Sequence, residues 1–565
     1  MAKKLPKPDL QSLPACAADF IKQVVKKMRY RKKVRADVAA ELIAHFEDEL
    51  KDCSTDEEKE QKAQLLIAEF GDIKLLAVLL RRAKKRCRPL WHTLVARGFQ
   101  TACLLILCLI VYIAWFLSGK PVITTNYLEQ INRLARPTDD ESLNAAPLYH
   151  KAGELYEKRW DDVAELKIKS NLTAEQLELI KNDLAILLAI KYKDVTSKHK
   201  QRIEKWLAEN KDILDLVIAG SKKPYYWKEY GDLENINKMT SISMPELSRF
   251  RRLALVLLHW RVWINAEQGS YKDAFDDIKA CYRLGWHLKG EKSLFEQLVG
   301  IAIKALAVHE LRSIISQYKI DSAALAALQR DFEQMIADED FVIRLDVERL
   351  SMYDTIQRSF TEDRFGGHLY FESLGPIVLR GPDREFVNRL IEPLHILFTH
   401  PDKQQTIETS DRYYAFWDRI AKKTPGQLHS ETIDIEKEAA EIIRGNILLR
   451  ILPAAMNRVH DLSYRNKIDV EATLVIVAIL RYNQDNGDYP ENLDQLVASG
   501  YLKKLPMDCY SDNKPLVYKK TDDSFLLYSV GLNFTDDGGR VIRNSQGKVV
   551  IWDIEGDEVF WPVKD

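Results

Sequence analysis

The sequence lacks the patterns that usually announce chemistry. It contains no GxSxG elbow, no HExxH pair, no P-loop and no Rossmann glycine fingerprint. Each of these places a nucleophile, a metal or a phosphate through backbone geometry, so the commonest hydrolase, zinc-protease and nucleotide-binding classes are removed. Cysteine is sparse, with seven in 565 residues. None falls in a CxxC pair or a Cys/His zinc spacing, which excludes the usual structural zinc sites. A surplus of charge is missing too, the net value being −1.

That balance averages two unlike parts. The first 96 residues carry 21 Lys and Arg against 14 Asp and Glu, and the rest is mildly acidic. The division lies beside Gly98–Leu117, "GFQTACLLILCLIVYIAWFL", twenty residues without a charge. At about 1.5 Å per residue this helix spans about 30 Å, the thickness of a hydrocarbon core. It has no polar stripe, and Tyr112 and Trp115 lie near its far end, where aromatic rings favour the interface. A transmembrane helix is expected over 97–118. A cleaved signal peptide is not, because the run is too long and begins too late.

Orientation follows from the flanks. Arg81–Arg97 holds seven Lys and Arg, whereas only Lys120 follows the run before Arg133. Positive charge stays on the cytoplasmic side. The expected location is therefore the cytoplasmic (inner) membrane, single-pass, with the N-terminus inside and the C-terminal bulk extracytoplasmic. Only Cys281 and Cys509 would meet an oxidising compartment, and their wide spacing favours two free buried thiols.

Residues 15–85 read as short amphipathic helices. Ile21, Val24, Val25 and Met28 form one stripe, and Val34, Val38, Leu42, His45 and Phe46 the next. "STDEE" supplies a helix start, with Ser54 and Glu57 in capping-box spacing, and Gly71 ends that helix. The series Glu41-Leu42, His45-Phe46 and Phe70-Gly71-Asp72 resembles a small bacterial helical module found before membrane spans, the HAAS-like or permease-prefix type. The resemblance implies a regulatory or docking role. His45, alone on an apolar face, is expected to be a core histidine and not a ligand. The basic run Lys26–Arg35 reads first as a solvated face. As a binding surface it would favour anionic lipid, since it is tethered beside a bilayer. No recognition helix stands out, so no nucleic-acid partner is expected.

From Asn126 to Asp461, helical stretches alternate with short Pro- or Gly-bearing breaks, among them "RFGGHLYFESLGP" and "RGPDRE". Gly269, Tyr271 and Ala274 sit where tetratricopeptide-like hairpins place a turn and a small residue, but no 34-residue period recurs. Segments such as Asn144–Ala152, Trp206–Asn210 and Ala280–Leu288 resemble large uncharacterised bacterial envelope proteins, which brings no activity with it. Asp346, Glu348 and Asp354 are acidic residues of the kind that glycoside hydrolysis uses, though such spacing on a helix ordinarily marks a solvated face. His368 beside two glycines reads as a surface loop before a pocket. The aromatics of "RYYAFWDRIAK", Arg412–Lys422, read as core or partner interface.

Around Val470 the pattern changes. An apolar helix through Leu474–Leu480 breaks at Asn486-Gly487 and Pro490, a short helix carries Leu493, Leu496 and Val497, and strand-like runs follow. Arg481-Tyr482, Asn486-Gly487, Tyr489-Pro490, Pro506 with Asp508, Tyr518, and Leu527-Tyr528-Ser529-Val530-Gly531 leading into Asp536-Asp537-Gly538-Gly539 closely resemble the globular part of major pseudopilins of the type II secretion system. In that family the loop after the "LYS-x-G" strand binds calcium through aspartates and backbone carbonyls. The resemblance implies calcium as a possible cofactor here, on Asp536 and Asp537 with Asp553 as a third donor. The same "NFTDDGG" is also a good hairpin turn without metal. The long N-terminal helix of a pseudopilin is missing from this module, so filament assembly through that helix is not expected.

The expected fold class is multidomain and mainly α. A cytoplasmic helical module (1–90) precedes one transmembrane helix (97–118). A large irregular α-helical, TPR-like hairpin body (120–462) and a C-terminal α+β pseudopilin-like domain (463–565) follow. The expected role is a membrane-anchored binding, scaffolding or signalling protein, with the lipid bilayer and protein partners on both sides. The alternatives are an extracytoplasmic hydrolase with an acidic pocket near Glu348 or His368, and an accessory component of a secretion-like apparatus.

Overall fold

The computed structural model describes residues 10–86, 90–168, 190–231, 244–337, 339–363, 366–370, 401–451, 456–512 and 514–563. The breaks expected at 371–376 and 380–385 lie outside them. With 65% helix and 5% strand, the fold is mainly α. The chain divides into two compact units, Met1–Trp115 and Phe116–Asp565.

In the first unit, helices α1 (Ala15–Lys27), α2 (Lys32–Glu49), α3 (Asp56–Phe70) and α4 (Ile73–Arg86) enclose a small core. Phe20, Phe46 and Phe70 meet there, with ring centroids 5.7–6.1 Å apart. The capping box at α3 lies one residue further on than the spacing predicts. Thr55 is the N-cap and Glu58 its partner, whose carboxylate accepts from both Ser54 N and Thr55 N. Two overlapping boxes are possible in "STDEE", and the later one leaves Asp56, Glu57 and Glu58 together in the first turn, where the helix dipole favours them. Phe70 packs, Gly71 turns the chain at φ +69°, and Asp72 Oδ1 accepts from Lys74 N and Leu75 N to start α4. His45 is not a core residue. It is exposed, edge-on to Phe70 at 5.5 Å, because the buried face of α2 runs through Val38, Leu42 and Phe46.

Helix α5 (Leu90–Phe116) follows. Its stretch Leu94–Phe116, 23 residues whose most apolar 18-residue window has a mean hydropathy of 2.3, is long and apolar enough to cross a membrane. Only 6% of its most apolar window is buried, so it is not the core helix of a folded body.

The second unit begins with α6 (Tyr127–Ala135), α7 (Ala146–Ile168), α8 (Ser197–Glu209) and α9 (Lys211–Ser221). Next, α10 (Pro245–Leu255) runs through a buried π-helical turn, Val256–Arg261, into α11 (Val262–Glu267). Gly269 (φ +74°) then reverses the chain into α12 (Tyr271–Trp286), whose Ala274 is fully buried, so the helical hairpin expected here is present. Helices α13 (Leu294–Gln317), α14 (Ser322–Ile336), α15 (Asp346–Ser359), α16 (Lys403–Ala421), α17 (Pro425–Ser430), α18 (Ile435–Ile442) and α19 (Ile447–Ile451) complete the layer. Gly285 on α12 and Gly300 on α13 let the two helices cross in backbone contact. A Cβ on either would stand 2.5–2.6 Å from the other's carbonyl oxygen.

Helix α20 (Met456–Asn486) is 31 residues long and carries the expected boundary at 462/463 within it. Beyond it lie α21 (Asp494–Ala498), an antiparallel sheet β1 (Val517–Lys520), β2 (Phe525–Ser529) and β5 (Glu558–Trp561) in the order β1-β2-β5, and the ribbon β3 (Ile542–Arg543) with β4 (Val549–Val550). Leu527 and Phe560 of the sheet share one apolar core with Trp260, Leu311 and Ile476 of the helices.

Candidate functional site

The loop after β2 is built by its own carboxylates. Tyr528, whose register on β2 faces Val517, donates its hydroxyl to Asp536 Oδ1 at 2.7 Å, and Gly538 N donates to the same oxygen at 2.9 Å. Asp537 Oδ2 accepts from the Asn533 amide at 2.7 Å. The backbone N–H groups of Asp537, Gly539 and Arg540 converge on the Asp557 carboxylate at 3.2, 2.7 and 3.1 Å. Burial pushes the Asp557 carboxyl up, and these three N–H groups pull it back down. The Tyr528 hydroxyl holds Asp536 below the usual carboxylate range.

A hard cation needs inward-facing oxygens. Here the loop turns N–H groups inward onto an anion, and the carbonyl of Gly538 faces the Lys519 ammonium at 3.4 Å. Asp553 Oδ1 accepts from Glu555 N within its own turn. Among the described residues no group of three His, Cys, Asp or Glu side chains is arranged to hold a metal. As it stands, the loop engages Asp536, Asp537 and Asp553 with donors of the protein itself.

Asp508, Ser529 and Val530 have structural work. Asp508, buried beneath the sheet, accepts from Tyr510 N, the Ser529 hydroxyl and Val530 N at 2.8–3.0 Å, and so pins the end of β2. Cys281 and Cys509 are buried free thiols, and burial pushes Cys509 up to about 12.

The acidic candidates of the body are also engaged. Glu348 Oε1 accepts from Leu294 N at 2.7 Å and so caps α13, with burial pushing its carboxyl up. Asp354 binds Arg358 at 2.8 Å and Gln357 at 3.0 Å. Asp346 lies beside Glu291, whose carboxyl is pushed up by burial and then by the neighbouring Asp346. His368 is buried, with Nδ1 at 3.0 Å from the Thr361 hydroxyl and 3.2 Å from Asp363, and Nε2 at 3.1 Å from the Ser118 carbonyl. It is an internal brace and not the surface loop residue expected.

What the structure adds is an open groove of about 720 Å³. One wall comes from α16, α17 and α18, with Trp417, Leu428 and Ile435, and the other from Tyr510, Phe534 and Ile554 of the C-terminal segment. Phe534, at φ +57°, stacks on His429 with centroids 4.0 Å apart and planes 9° off parallel. Asp461 and Arg465 pair at one edge, and Tyr510 donates to Asp461 at 2.7 Å. Trp417 belongs to the aromatic run read as core or interface. Nothing in the sequence marked Phe534 or Ile554 as groove residues, since Phe534 meets His429 of α17 only in the folded chain. Neither Glu348 nor His368 lines this groove or three further cavities among the described residues.

Compared with protein families, curated proteins and solved structures, the chain has no match.

Proposed function

We propose that this chain is a single-pass membrane-anchored envelope protein that acts by binding, as a scaffold or in signalling, and not by catalysis. The N-terminal unit lies on the cytoplasmic side and the larger unit outside, an orientation that rests on the basic flank Arg81–Arg97. The observation that carries the binding role is the groove, whose walls are mainly apolar and aromatic, while Glu348 is committed to capping, Asp354 to pairing and His368 to bracing. Ile554 is 72% exposed at its lip, which suits a surface covered by a partner.

Photo-crosslinking in intact cells tests this. A benzoylphenylalanine in place of Ile554 or Ile433 is expected to give one discrete protein adduct, while a control at exposed Lys205 gives none. Absence of an adduct at both groove positions would overturn the binding role at this site.

A further inference from the structure

Helix α4 is amphipathic in an unusual sense, because both of its sides are apolar. Ile73, Leu76, Ala77 and Leu80 face the core of the N-terminal unit. On the opposite side Leu75, Val78 and Leu79 are 60%, 43% and 51% exposed. At 100° per residue these three lie on one narrow stripe, and Arg82 continues it by a turn. Lys74, Arg81 and Lys85 line one edge, all exposed. The helix contains no acidic residue. Asp72 caps its first turn, and Glu41 pairs with Lys84 on the inner side. The stripe therefore combines exposed apolar side chains with a border of positive charge.

Its position says what covers it. Helix α4 ends at Arg86 and the apolar span begins at Leu94. Eight residues reach at most about 28 Å even when fully extended, so α4 is held within reach of the headgroup layer whenever the span is inserted. A helix with a Leu/Val face and a Lys/Arg border is the pattern that lies in a bilayer interface, with its apolar side chains at the acyl boundary and its cations among the phosphates. We propose that the Leu75–Val78–Leu79 face of α4 lies on the cytoplasmic leaflet and binds anionic phospholipid through Lys74, Arg81, Arg82 and Lys85. This rests on the membrane-anchored reading above, and it places the lipid contact on α4 instead of on the basic run Lys26–Arg35.

The full-length chain is reconstituted into vesicles of phosphatidylglycerol and phosphatidylcholine with benzoylphenylalanine at Leu79, and in parallel at Leu105 of the span. Lipid adducts at both positions are expected. A lipid adduct at Leu105 with none at Leu79, or with a crosslink from Leu79 to a second copy of the chain, overturns the proposal and leaves the anchor intact. No lipid adduct at Leu105 overturns both. Replacing Arg81, Arg82 and Lys85 by Gln is expected to lower the Leu79 adduct by about fivefold for each cation removed, without changing that at Leu105. An unchanged Leu79 yield would exclude the electrostatic contact.

Discussion

Glu558 shows how one buried side chain sets a pH response. Its Oε2 accepts from Trp552 N at 2.6 Å, and burial, reinforced by Asp469, pushes its carboxyl up to about 8 despite Arg312 and Arg465 nearby. The group is neutral when folded and ionises when the chain unfolds, so folding takes up a proton above its unfolded range near 4.5. Stability is full below that range, falls as pH rises, and levels off past about 8. The Glu558→Gln variant keeps the shape without the titration. Thermal melts are expected to show its midpoint rising relative to the parent between pH 5 and 8, and parallel curves would refute the assignment. Asp557 gives a second test. Asp557→Asn weakens an acceptor shared by three backbone N–H groups and is expected to lower stability by about 1–3 kcal/mol. Calcium or a chelator should leave the parent's melting temperature unchanged, whereas a filled site would add about 2.7 kcal/mol at a hundredfold excess over Kd.

At the scale of elements, the α12–α13 crossing depends on Gly285 and Gly300. Either residue replaced by Ala drives a methyl into a carbonyl oxygen and is expected to destabilise by about 1–3 kcal/mol or more in chemical denaturation. Gly269→Ala, in open space, meets only its φ of +74° and should cost about 1 kcal/mol. The same region shows what the sequence made legible. The Gly269 turn and the buried Ala274 were readable because their signals are local. The Gly285–Gly300 contact was not, because each glycine is meaningless without the other. The groove was hidden for the same reason, as Trp417 and Phe534 are more than a hundred positions apart. His45 was misplaced by a single step of helical phase, and the capping box by a single residue.

At the scale of the whole molecule, the long apolar helix is the feature most plainly written in the sequence, since twenty uncharged residues need no tertiary context to be recognised. On the membrane-anchored reading proposed above, Leu105→Arg puts a charge at the centre of the span, at an insertion penalty of about 2.5–3.5 kcal/mol. It is expected to move the chain from the membrane to the soluble fraction on sedimentation. The composition change near Val470 was equally visible, but it marks a change of secondary structure inside a shared core. Helix α20 crosses it without a break. On the body side Arg312 donates to the Asp469 carbonyl and carboxylate and to Thr473, and Gln484 reaches the Ile320 carbonyl. On the other side Gln329 of α14 donates to the Tyr501 carbonyl, beyond α21. A stop codon after Leu462 would thus strip the helical layer of an inner wall, and the truncated chain is expected to aggregate. Recombination that grafts this C-terminal segment elsewhere, or exchanges it for another, would have to carry part of a shared hydrophobic core with it.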